Sequence, residues 1–154
     1  MSEMSEQVRE LVELVVDALD LEASVVVEEN DEGITAVVEG DDLGLFIGRH
    51  GQTIEAVQHL AQRVALKDQP RDGARQRIVV DAAGYRARRK EALEGMADDA
   101  AEEALRNGRP VALDEMNATE RRIVHEHLRD RGDLETYSEG EEPHRHLVVA
   151  PRAD

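Results

Sequence analysis

Residues 45–60 read LFIGRHGQTIEAVQHL. Gly48 and Gly51 bracket Arg49 and His50, with apolar residues on both sides of the turn. Beyond it, Ile54, Val57, Leu60, Ala61 and Val64 recur at helical spacing, which predicts one apolar helix face up to about Leu66. A glycine has no Cβ, so the chain can take left-handed dihedrals there and let another backbone approach. At a helix start, N–H groups and the positive end of the dipole attract phosphate. Arg49 adds a fixed charge, and His50 adds a donor that titrates.

A basic turn of this kind is unexpected in a chain of formal charge -16. The charge is segregated, however. Residues 1–42 carry one base, Arg9, against fourteen acids, net -13. Residues 43–90 carry ten bases against four acids, net +6, and residues 91–154 carry eight against seventeen, net -9. The turn therefore lies on a basic island, and it is the local field that decides where a polyanion docks.

Working outward from the turn, the pattern predicts an α/β (α+β) chain of two small domains. On the N-terminal side, Val8, Leu11, Val12, Val15 and Leu19 mark an amphipathic helix over 5–19. SVVVEE (24–29) and ITAVVEG (34–40) are β-branched runs around an Asp31-Glu32-Gly33 turn, which predicts a hairpin. DLGLFI (42–47) is expected to form a short helix into the glycine turn. On the C-terminal side, a loop over 67–76 with Pro70 and Gly73 leads to a strand, RIVVDA, at 77–82.

A second unit follows. Leu93, Met96, Ala97, Ala100, Ala104 and Leu105 predict a long helix over 85–106, stopped by Asn107-Gly108 and Pro110. PVAL (110–113) is a short extended piece. Asn117, three residues before Glu120, predicts a capped helix start, and that helix runs to about Asp130. LETYSE (134–139) and HRHLVVA (144–150) predict a second hairpin. The expected divisions are an acidic N-terminal helix over 1–22, a first domain over 23–83 and a second over 84–152, with the long helix joining the two.

The second helix contains ERRIVH. At about 100° per residue, Arg121, Arg122, His125 and Arg129 fall on one side, as a four-residue cationic stripe. Ile123, Val124, His127 and Leu128 are then expected to pack on the other. Arginine meets phosphate as a planar fork, so such a stripe suits a polyanion.

Other chemistries find little support. The chain has no cysteine, which excludes disulfides and thiolate metal sites. The pairs His125/His127 and His144/His146 match no metal-ligand spacing, so no metal or cofactor is expected. Ser2, Ser5, Ser24 and Ser138 sit in no nucleophile elbow, and no enzyme is expected. Aromatics are 2% of the chain, Phe46, Tyr85 and Tyr137, too few for a ring-stacking platform. No secretory signal or membrane span is expected, and a cytoplasmic location is.

The stretch LFIGRHGQTIEAVQHL resembles the core of a KH domain, with Ile47, Gly48, Gly51 and Ile54 in Ile-Gly-x-x-Gly-x-x-Ile spacing. The order α-β-β-α-α-β is similar to the bacterial KH arrangement. The resemblance implies a loop, Gly48, Arg49, His50 and Gly51, that clamps the backbone of about four single-stranded nucleotides. The spacing Arg121-x-x-x-His125 matches the motif that names the R-3-H domain, a small α/β unit that binds single-stranded nucleic acid. Residues 108–152 resemble that domain as it occurs in the Jag family, the SpoIIIJ-associated proteins of bacteria, and the likeness runs over nearly all of 23–152. It implies Arg121 and His125 as nucleic-acid contacts, with Arg122 and Arg145 added on charge and position. It further implies single-stranded RNA or single-stranded DNA as ligand, post-transcriptional regulation linked to cell elongation and division, and a small single-KH protein as partner. The rival reading is a protein-interaction adaptor with the KH fold as scaffold. Two departures stand out. Longer family members begin with an extra domain and linker, where this chain has an acidic helix. His146 stands where a second arginine would be expected.

Overall fold

The computed structural model describes residues 1–71 and 75–153. Gly73, expected in the loop before the last strand of the first domain, lies outside them. The chain divides into two compact units, Met1–Arg86 and Ala87–Asp154.

The first unit runs α1 (Glu3–Ala18), β1 (Ala23–Asn30), β2 (Gly33–Gly40), α2 (Gly44–Ile47), a single 3-10 turn (Arg49–Gly51), α3 (Gln52–Ala65) and β3 (Arg77–Ala82). Ser2 caps α1 by accepting the Ser5 N–H at 3.1 Å, and Glu3 and Glu6 in the first turn favour the positive end of the dipole. The turn between β1 and β2 is closed by the Asn30 side chain, which accepts the N–H groups of Glu32 and Gly33.

β1 pairs antiparallel with β2, and β2 pairs parallel with β3. The register lines up Val25, Val38 and Ala82, then Val27, Ala36 and Val80, on one face of the sheet. With Val8, Val12 and Val16 of α1, and Ile54, Val57 and Ala61 of α3, they form one core that also buries Phe46. The helix given its own division over 1–22, and counted as the first α of the α-β-β-α-α-β order, lies in the first unit. Its charged residues are the outer half of an amphipathic helix whose inner half completes the core.

The face of α3 is rotated from its expected position. Ala65 is buried, whereas Leu60 is 50% exposed and Val64 lies at the surface. The apolar sequence pattern is wider than the seam the sheet can cover. α3 is also tied to the free edge of β3. Gln58 accepts the Val80 N–H at 2.9 Å, and Gln62 donates to the Ile78 carbonyl at 3.2 Å. These bonds occupy edge groups that could otherwise pair with another strand.

The second unit holds most of α4 (Tyr85–Asn107), then β4 (Val111–Ala112), α5 (Ala118–Leu128), β5 (Leu134–Glu139) and β6 (His146–Pro151). The division between units falls just inside α4, after Arg86. The sheet order is β4-β6-β5, all antiparallel, so PVAL supplies a third strand beside the expected hairpin. The alanines of α4 (Ala97, Ala100 and Ala101) let α4 approach closely, and they share a core with Leu93, Val124, Leu128, Leu134, Leu147 and Val149. Asn117 caps α5 by accepting the Glu120 N–H at 2.9 Å.

Candidate nucleic-acid interface

In the first unit the glycine turn takes the shape its composition permits. Gly48 has φ 75 and ψ 174, and Gly51 has φ 77 and ψ 14, both in the region that disfavours a Cβ. His50 between them is also left-handed, at φ 53 and ψ 28. A non-glycine residue there is uncommon and costs about 1–2 kcal/mol, which the surrounding structure must offset. The offset comes from behind the loop. A methyl group on Gly48 would sit 2.3 Å from the Thr53 hydroxyl, and one on Gly51 would sit 2.6 Å from that of Tyr85. The loop is therefore seated against the first turn of α3 and the first residue of α4, with no room for a side chain at either glycine.

Arg86, next to Tyr85, continues this support. It pairs with Glu55 in the first turn of α3, and donates to Gln58 and to the Val80 carbonyl, each at 2.8 Å. Arg49 and His50 are exposed. Among the described residues neither side chain makes a hydrogen bond or ion pair. Gly51, directly before α3, offers no side-chain cap; the Gln52 N–H donates to the Arg49 carbonyl, and the positive end of the helix lies at the loop. Glu55, the only acid in the first turn, is committed to Arg86.

In the second unit the expected stripe is interrupted. Arg121 is 8% exposed, and its guanidinium donates to the Met116 carbonyl and to Glu142. The ideal wheel put it with Arg122, His125 and Arg129. The segments before α5 and between β5 and β6 instead cover this side of the first turn. The packing side also departs from expectation: Val124 and Leu128 are buried, Ile123 is half-buried and His127 is not part of the core. His127 instead meets Glu94 at 3.4 Å and Asp98 at 2.9 Å, both on α4.

Arg122, His125 and Arg129 remain exposed on α5. Arg122 pairs with Glu126 one turn on, at 3.2 Å, an exposed contact of little worth. His125 Nδ1 is bonded to the Thr136 hydroxyl of β5, which orients the ring and leaves Nε2 for another partner. Arg145 donates to the Gly140 carbonyl at 2.8 Å, and has no carboxylate within 4 Å among the described residues. His146 lies 3.6 Å from Glu139. Tyr85, Thr53 and Glu142, which shape the two sites, gave no signal in the sequence. Tyr85 is distant in sequence from the loop it supports, and Glu142 is one acid among many.

A seated glycine loop at a helix start, on a three-stranded sheet with one parallel pair, followed by a capped helix carrying Arg-x-x-x-His, defines a KH domain joined to an R-3-H domain. The KhpA/KhpB KH-domain family matches residues 5–78, and the R-3-H domain family matches 91–151. The chain is 37% identical over 143 residues to the RNA-binding protein KhpB of Clostridium symbiosum, covering 92% of this chain and 63% of that protein. It is 32% identical over 147 residues to KhpB of Bacillus subtilis strain 168, covering 94% and 69%. Against KhpB of Lactiplantibacillus plantarum it is 36% identical over 138 residues, covering 90% and 42%. The chain belongs to the KhpB family, also called Jag, and spans from about two fifths to about two thirds of the length of these relatives.

Proposed function

We propose that this chain binds single-stranded RNA through the loop Gly48, Arg49, His50 and Gly51, assisted by the R-3-H unit. The observation that carries the reading is the loop itself: two seated glycines at a helix start, with a charged arginine and a histidine that no acid neutralises among the described residues. In the second unit the exposed Arg122 and His125 and the half-buried Arg145 are the groups that would meet a ligand. Two weak sites on one chain raise avidity through effective concentration. The family relationship supports a post-transcriptional role linked to cell elongation and division, in the cytoplasm. The relatives' printed name, RNA-binding protein, favours RNA over single-stranded DNA as ligand.

Leu60 and Val64, exposed on α3, favour a protein contact beside RNA binding, which fits the small single-KH partner implied by the family. No helix among the described residues is long and apolar enough to cross a membrane.

Anisotropy of a short labelled RNA over a salt series tests the reading. Affinity should fall linearly in log–log form, with a slope of about 0.7 per phosphate neutralised. The double variant Arg49→Asp/His50→Asp should lose the loop's share of binding. An intact chain with no measurable binding at low salt would leave the adaptor reading in possession.

A further inference from the structure

The arginine of the Arg-x-x-x-His spacing is committed on both ends of its fork. Nη1 donates to the Met116 carbonyl at 2.6 Å, and Nη2 donates to Glu142 Oε1 at 2.5 Å. The Met116 N–H in turn donates to the Arg145 carbonyl at 3.1 Å, so Met116 is bonded to both arginines. Within the segment joining β5 to β6, the His144 N–H donates to the Glu141 carbonyl and Arg145 donates to the Gly140 carbonyl. The Arg121 side chain is 10% exposed, against 57% for Glu142. To reach a phosphate, the nearly buried Arg121 guanidinium would have to give up both the Met116 carbonyl and Glu142, two charge-assisted hydrogen bonds. Its charge is also already neutralised. Arg145 differs on both counts, being held by one neutral carbonyl with no acid beside it among the described residues.

We infer that Arg121 and Glu142 form a latch that shapes the β5–β6 segment, and that Arg145 is the phosphate-contacting arginine this latch presents. Arg121 is then a positioning residue. The inference rests on the reading that this unit binds single-stranded nucleic acid.

The test uses the intact chain, a short labelled single-stranded RNA over a salt series, and hydrogen exchange of amides 140–146 without RNA. Arg121→Ala and Glu142→Gln should each speed exchange in that segment and weaken binding by about fivefold, as loss of one hydrogen-bonded support does. Combining them should be no worse than either alone. Neither should change the salt slope, whereas Arg145→Ala should lower it by about 0.7, one phosphate. Arg121→Lys, which keeps the charge and loses the fork, should behave like the alanine variant. A lower slope for Arg121→Ala, full rescue by lysine, or tighter binding by Glu142→Gln would overturn the inference. So would unchanged loop exchange in both Arg121→Ala and Glu142→Gln, the second of which removes only an exposed carboxylate. That exchange is read without RNA, so it decides the latch even if the intact chain binds none, an outcome that would sink the functional reading instead.

Discussion

At the scale of single residues, Gly51 carries two requirements at once. Its φ of 77 disfavours any side chain, and the Tyr85 ring fills the space a Cβ would enter. Gly51→Ala should therefore cost more than about 1 kcal/mol of stability, the usual penalty of a left-handed alanine alone. Urea unfolding of the variant measures this, and a loss below that value would mean that Tyr85 yields freely. The sequence showed the first requirement, since a glycine before a helix signals a turn. It hid the second, because Tyr85 reaches the loop only through the return of β3. Arg121 is the converse case. Its type and spacing suggested an exposed contact, and only the segments around α5 reveal that it is buried.

At the scale of elements, α1 is where reading by charge misleads. Glu3, Glu6, Glu10, Glu13 and Asp17 face solvent, while Val8, Val12 and Val16 complete the core beneath. Removing residues 1–22 should leave the remaining first unit without cooperative unfolding, which circular dichroism against urea would report. The helix start is also fastened to β1, because the Ser2 N–H donates to Glu29 at 3.0 Å. That bond holds the Glu29 carboxyl below its ordinary value. A depressed carboxylate contributes stability above its unfolded pKa and loses it as pH falls through the folded one. Glu29→Gln should thus lower the melting temperature at pH 7, with the gap to the parent chain closing below about pH 4. A gap independent of pH would assign the effect to packing.

At the scale of the whole molecule, the two units differ in how their cations are spent. In the first, Arg49, Arg63 and Lys67 have no acidic partner among the described residues. In the second, Arg89, Arg121, Arg122 and Arg131 each pair with a carboxylate, and His127, His144 and His146 lie beside one, while Arg145 has none among the described residues. The first unit should therefore supply most of the salt dependence of RNA binding. The Arg49→Asp/His50→Asp variant should reduce the salt slope by more than Arg145→Ala does, and the reverse order would place the main polyanion site in the R-3-H unit.

The sequence by itself determined the order of elements, the two glycines of the loop and the segregation of charge. These follow from local rules: periodicity, the missing Cβ, and side-chain caps. Only the tertiary structure decided that Tyr85 backs the glycine loop, that α3 leaves Leu60 and Val64 uncovered, and that Arg121 is bound inward. Each of these depends on groups far apart in sequence competing for one buried space, and no local pattern records which of them occupies it.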